Sequence, residues 1–422
     1  MHNQIASTTT PRRGFTVIEL LVVMGIIVIV AAVTLPTLKT LLSGRKIAEA
    51  ANIVSSYAAS AKSRAIATGR PVALILDRTR YDGEAGLALN NVCTRISIGD
   101  VFPAYTGDWA GAEGTLVDEV AIDAHEVGFA DAIDVPLAQA ATLIDPATRV
   151  STGMVQDGDL IEIGTSREKF FIASNQLGPA IELLTGGPTP VVRIRFNNPS
   201  ETTGGVPMQE GAMAASYLAA GAQHSFRIFR RPSKSLAGGV SLPRGTCIDL
   251  NFSGFGPSGR DFSSDAIQPI GGASPPPYPD IANSNYGPIY LVFSPDGQVS
   301  SWYVQNREFN YASPTLQRGF PRGLIHLLVG SMDKLVDSPR LNPTLAISDN
   351  EELQTNLMDG ENNWVTVNPY TGGIHTSTVQ ATTVAANAPA PNQNDPASLL
   401  EYRLVQARSL ATNFLSIPNQ GE

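Results

Sequence analysis

The pattern of apolar and polar positions changes abruptly near the start of the chain. Residues 1–13 are polar and carry Arg12 and Arg13. Phe15 to Leu35 then reads FTVIELLVVMGIIVIVAAVTL, 21 residues whose one charge is Glu19. At about 1.5 Å per residue, such a helix spans a hydrocarbon core of about 30 Å. The pattern predicts a single transmembrane helix over 15–35. The arginines before it hold the N-terminus in the cytoplasm and place the remainder outside.

Past Pro36 the period stays helical but the composition becomes amphipathic. Ile47, Ala50, Val54, Ala58, Ala61 and Ala65 recur at steps of three and four, with Lys46, Glu49, Lys62 and Arg64 off that stripe. Gly69 and Pro71 form a helix stop. One long helix over 15–70 is therefore expected, amphipathic over 37–68, with bends at Pro36 and Gly44. Its alanine stripe is expected to lie against a sheet.

The next stretch, 71–375, reads as a β-rich head. Strands are predicted at 71–81, 169–174, 191–196, 225–230, 246–252, 289–293, 299–304 and 324–329. Asp296-Gly297 is a hairpin signal, and Trp364 to Ile374 is a second hairpin around a Pro–Gly turn. Residues 376–394, rich in Thr, Ala, Asn and Pro, read as a linker. A C-terminal helix is predicted over 395–416, with Asp395 and Pro396 as cap and first turn and an apolar stripe of Leu400, Leu404, Ala407, Ala411 and Phe414. That stripe either docks on the head or serves a partner. Docking is favoured, because most amphipathic helices bury their stripe in their own fold. The fold class is α+β, a long N-terminal helix packed on an antiparallel head with large insertions.

Composition narrows the function. The 38 Gly and 30 Pro fit many turns and short strands, and the formal charge of −9 argues against broad nucleic-acid binding. Residues 96–148 hold ten acids, from Asp100 to Asp145, and no Lys or Arg. They read as an acidic insertion with a solvated face. Cys93 and Cys247 would lie outside the cytoplasm, where disulfides persist, and the sequence leaves their pairing open. His125, His224, His326 and His375 show no metal spacing, and no cofactor is called for. Gly254-Phe-Gly-Pro-Ser-Gly259 spells a dinucleotide fingerprint, but Arg260-Asp-Phe-Ser-Ser does not open an apolar helix, so a plain glycine loop is expected. Asp157-Gly-Asp159 and Asp359-Gly-Glu361 suit calcium, but read more cheaply as turns. Arg227, Arg230, Arg231 and Lys234 form a basic knot, read as a solvated strand edge. No catalytic constellation is visible, so the chain is not expected to be an enzyme.

The apolar N-terminal run admits a bland reading as a signal peptide or simple anchor. Two features oppose it. The basic–small junction Arg13-Gly14 precedes the run rather than following it. Glu19 lies one turn inside, where a lone carboxylate costs a few kcal/mol. Cleavage between Gly14 and Phe15 supplies a partner: Phe15 becomes an N-terminal amine, and Glu19 becomes position five, one turn away.

Arg12-Arg-Gly-Phe-Thr-Val-Ile-Glu-Leu-Leu-Val-Val23 resembles the N-terminus of type IV prepilins and type II secretion pseudopilins. Pro36 falls at mature position 22, where pilins commonly carry a proline. Ala61 to Ile75, Leu242 to Leu250 and Phe293 to Gly297 resemble the H-type minor pseudopilins and the related FimT-type minor pilins. The resemblance implies a type IV pilin-like fold and cleavage after Gly14 by a prepilin peptidase, with N-methylation of Phe15. It further implies filament assembly through Glu19 and the helix kinked at Pro36. Implied partners are other pseudopilins or pilins and an inner-membrane assembly platform. The protein is then a single-pass inner-membrane protein with a periplasmic head, a structural subunit that helps extrude secreted proteins. The alternatives are a type IV pilus minor pilin for adhesion or DNA uptake, and a filament-anchored enzyme or carbohydrate-binding head.

Overall fold

A computed structural model describes residues 17–79, 91–119, 131–145, 147–165, 169–174, 178–196, 220–263, 287–306, 315–336, 354–379 and 396–413. It is α+β, with an N-terminal helix and antiparallel sheets. Helix α1 runs Val17–Thr68, and Gly69 ends it in a left-handed conformation (φ +62°) before Pro71 and strand β1, Val72–Arg78. The backbone stays helical through Pro36 and Gly44, so neither expected bend breaks the element.

Among the described residues the larger sheet has ten strands. Along its main path lie β14 (Thr315–Gly319), β13 (Val299–Asn306), β12 (Ile289–Phe293), β1, β2 (Val92–Asp100), β11 (Thr246–Phe255), β15 (Ile325–Ser331), β16 (Asn363–Val367) and β17 (Ile374–Thr378). Strand β10 (Ser233–Ser241) also pairs with β2. Alternate residues serve two faces. Leu74, Leu76, Leu291, Leu327, Val329 and Val365 join the stripe of α1, whose Ala50, Ala58, Ala61 and Ala65 are fully buried. Methyl side chains let the helix backbone lie close to the sheet. The opposite face carries Phe252, Leu328 and Trp364, covered by helix α3 (Pro396–Asn413) through Leu400, Leu404, Ala407 and Ala411. The C-terminal stripe thus docks on its own head; Asp395 and Phe414 lie outside the described residues. Further along, this face carries Ala73, Ile75, Tyr290, Val292 and Tyr303.

Among the described residues a second sheet of seven strands has the order β6 (Lys169–Phe171), β5 (Leu160–Ile163), β9 (Gln223–Phe229), β3 (Glu113–Val117), β4 (Ala132–Pro136), β8 (Val191–Arg195) and β7 (Ile181–Leu184). A short helix, α2 (Leu137–Ala140), follows β4. Ile172, just past β6, bridges Phe196, just past β8. The sheet therefore closes into a small barrel round its own core of Leu116, Ile133, Ile161, Ile194, Phe226 and Ile228.

The chain leaves the large sheet after Asp100 and re-enters at Ser233, and these two residues are register partners. The excursion is thus 101–232, not the acidic stretch 96–148. Ile96 to Asp100 complete β2, and the barrel continues far past 148. Charge failed as a boundary marker because several of these acids are structural rather than part of a solvated face. Glu119 is buried and paired with Arg193 (2.7 Å) and Arg195 (2.6 Å), and Asp134 pairs with Arg193 (2.7 Å). The Asp134 and Glu119 carboxylates hold the Arg193 guanidinium firmly protonated. Asp108 accepts from Tyr105 and Thr142, and Asp100 pairs with Arg64 of α1 at 2.9 Å. The expected linker 376–394 begins inside β17, and residues 380–395 lie outside those described.

Candidate functional site

The two halves of α1 differ in what surrounds them. From Ile47 on, the helix is gripped by the sheet. Lys62 Nζ donates to the carbonyls of Thr371 (3.1 Å) and Gly372 (3.0 Å) in the β16–β17 turn. Arg64 donates to Asp100 (2.9 Å) and to Ser235 Oγ (3.2 Å). Over 17–32 the helix is apolar on all sides apart from Glu19, and mostly exposed: Val17 is 83% exposed, Ile27 56% and Val30 54%. A helix apolar all round belongs inside lipid or among other helices, since it has no polar face to turn to water. Among the described residues, however, no helix is long and apolar enough to cross a membrane. The side chains described in this half are those of 17–32, and the rest of the span expected at 15–35 lies beyond them.

The residues singled out from sequence fall on this half. Gly14 and Phe15 lie outside the described residues. Glu19 is in the first described turn of α1 and exposed. Pro36 lies within the helix, and its side chain is outside those described.

The remaining candidates resolve into structure. Gly254 to Gly259 faces its carbonyls inward and receives a guanidinium. Arg408 of α3, fully buried, donates to Phe252 O (2.6 Å), Gly256 O (2.7 Å) and Gly259 O (3.0 Å) and lies 5.1 Å from the Trp364 ring centroid. Burial pushes its pKa down to about 9. Both closely set glycines are required: a Cβ on Gly254 would lie 2.4 Å from Gly259 O, and one on Gly259 2.1 Å from Phe255 O. A phosphate cradle presents N–H groups, so this loop has the opposite polarity. Arg408 was not legible in sequence, where it is one more polar residue on an amphipathic helix.

The two Asp-Gly pairs are turns. Asp359 accepts from Lys334 Nζ at 2.8 Å, so an ammonium stands where a cation would. Asp159 accepts from the backbone N–H groups of Arg231 and Gln156, and Asp157 from Ser174 Oγ. Among the described residues no cluster has the makings of a metal site. The basic knot is partly neutralised: Lys234 pairs with Asp77 (2.8 Å), Arg231 with Asp159 (4.0 Å) and Arg227 with Glu162 (3.9 Å). His326 is buried, beside Thr366 Oγ1 at 3.0 Å, and burial lowers its pKa to about 3. Cys93 and Cys247 are free thiols on adjacent strands. Cys93 is paired in register with Ile248, not Cys247, so the two thiols point to opposite faces of the sheet.

Comparison with known proteins bears on the exposed half of α1. Residues 10–35 match the prokaryotic N-terminal methylation motif. The match takes in Gly14, Phe15 and Glu19, and it supports a type IV pilin-like protein processed by prepilin peptidase and assembled with other pilins. It points to a membrane-anchored protein. No curated protein and no solved structure matches the chain.

Proposed function

We propose that this chain is a minor pseudopilin of the H type, a structural subunit of a type II secretion pseudopilus with a type IV pilin-like fold. A prepilin peptidase cuts after Gly14, and Phe15 is then N-methylated. Residues 15–35 anchor the subunit in the inner membrane, and the head lies in the periplasm. The same helix later packs among those of other pseudopilins, at an inner-membrane assembly platform. The role is mechanical, to help push secreted proteins outward, and involves neither catalysis nor a cofactor.

The observation that carries this reading is the division of α1. Its second half is locked into the head by Lys62, Arg64 and the alanine stripe, while its start, 17–32, is apolar apart from Glu19 and mostly exposed. Force applied to such a helix reaches the whole head. The methylation motif over 10–35 lies on the exposed half. The basic knot, engaged by Asp77, Asp159 and Glu162, favours secretion over DNA uptake.

Intact-mass analysis of membrane-extracted protein tests the processing. The expected mass is that of residues 15–422 plus one methyl group, and Gly14→Val leaves precursor in the membrane. A chain still starting at Met1 in cells with active peptidase overturns the reading. Co-purification with type IV pilus components instead of pseudopilins overturns its secretion half.

A further inference from the structure

Where the barrel meets the edge of the large sheet, cations converge on aromatic rings. Lys169 Nζ of β6 lies 4.5 Å from the centroid of Phe229, at the end of β9. The Arg318 guanidinium of β14 lies 6.0 Å from the same ring, 5.7 Å from Tyr303 and 5.8 Å from Phe320. Phe320 is 68% exposed. Among the described residues neither Lys169 nor Arg318 forms an ion pair, and Arg318 Nε is buried without a hydrogen-bond partner. The nearby carboxylate is Glu162, opposite Lys169 in register, and its ion pair is with Arg227. Among the described residues, Lys169 and Arg318 thus stand together without an ion-pair partner, on a chain of net charge −9. Burial, and after it the Arg318 charge, pushes the Lys169 pKa down against the opposing pull of Glu162.

Strand β14 is also the end of its sheet among the described residues. Its outer edge offers a row of main-chain donors and acceptors. Arg318 is the register partner of Tyr303, so it projects on the face that meets the barrel. In a strand added along β14, alternate side chains would project on that face, beside Arg318 and Lys169.

We propose that this corner docks an acidic, extended polypeptide segment of a partner protein as an added strand on β14. Main-chain hydrogen bonds hold the segment, and carboxylates at every second position meet Lys169 and Arg318. Phe320 and Phe229 cover its apolar parts. The two cations select an acidic partner, and the β14 edge, open among the described residues, selects a peptide over an acidic saccharide. The inference stands independently of the filament reading.

The test uses the full chain in detergent micelles and a labelled twelve-residue peptide of alternating Glu and Val, followed by fluorescence anisotropy. The peptide is expected to bind, and the Lys169→Glu/Arg318→Glu pair to weaken binding at least tenfold with an unchanged melting temperature. Arg318→Lys should retain most of it. The same peptide N-methylated on alternate backbone nitrogens should also bind at least tenfold more weakly. Absence of binding means that Arg318 only guards the edge against aggregation, and overturns the proposal. So does binding that survives charge reversal or N-methylation, or equal competition by polygalacturonate.

Discussion

Gly372 and Gly297, in two different hairpin turns, press against each other beneath the end of α1. A Cβ on Gly372 would lie 1.9 Å from the carbonyl oxygen of Gly297, and one on Gly297 would lie 3.0 Å from Ile66 Cδ1 and from Lys62 Cε. Both glycines have positive φ, +61° and +83°. The sheet has curled round α1 far enough to bring the β12–β13 and β16–β17 turns together, and Val299 N–H donates to Pro369 O at 2.8 Å to join them.

Gly372→Ala is therefore expected to destabilise the head by more than its backbone conformation alone demands. Left-handed strain costs about 1–2 kcal/mol for a non-glycine residue, and the contact with Gly297 adds to it. Gly111, also left-handed (φ +82°) but with open space around its Cβ position, is the control. Thermal denaturation should show a clearly larger drop for Gly372→Ala than for Gly111→Ala. Equal drops would mean that the two turns are not in contact.

Glu19→Ala separates processing from assembly. The cleavage junction at Gly14 is untouched, so the variant should be inserted and cut normally, and a carboxylate inside an apolar helix costs a few kcal/mol that alanine avoids. In a filament, however, the Phe15 amine of a neighbouring subunit would lose its counter-charge. Co-purification of processed Glu19→Ala with other pilin-like subunits should fall several-fold. Undiminished co-purification would show that the charge pair does not recruit this subunit.

Arg408 fastens the C-terminal helix. Arg408→Met leaves the Phe252, Gly256 and Gly259 carbonyls without their donor. Stranding buried acceptors costs roughly 1–3 kcal/mol. The expected outcome is release of α3, read as rapid proteolysis within 396–413 while the sheet core survives. Arg408→Lys should lie between, because an ammonium lacks the planar fork that reaches three carbonyls. A protected helix in Arg408→Met would mean that Leu400, Leu404 and Trp364 suffice.

Asp249 gives stability a pH dependence of unusual sign. It is fully buried in β11, accepts from Asn251 N–H and Asn356 Nδ2 at 3.0 Å each, and Arg260 acts on it only at longer range. Burial raises its carboxyl from the ordinary value of 3.8 to about 6. The folded state thus prefers the protonated form. This contribution to stability is greatest below the unfolded value and declines as pH rises from about 4 to about 6, a change on the order of 3 kcal/mol. Asp249→Asn cannot ionise. Its stability relative to wild type should therefore improve across that window, as chemical denaturation at several pH values would measure. A constant difference would show that burial does not raise the Asp249 carboxyl above its unfolded value.

How much was legible from sequence differs along the chain. The long helix, its stop at Gly69, the alanine stripe, most head strands and the docking stripe of the C-terminal helix follow from short-range patterns. Periodicity, turn residues and caps act over a few residues, so a sequence displays them directly. The motif at Gly14, Phe15 and Glu19 is of the same local kind. Partnership between distant residues is not local, and only the tertiary structure decided it. The excursion at 101–232 closes because Asp100 meets Ser233, and its Glu119 and Asp134 are neutralised by Arg193 and Arg195 well beyond the acidic stretch. The glycine loop takes its role from Arg408, about 150 residues later. Cys93 and Cys247 stay apart through a single step of register. Each of these depends on which strand lies beside which and in what register, which is set by the burial of the whole sheet and not by any one segment.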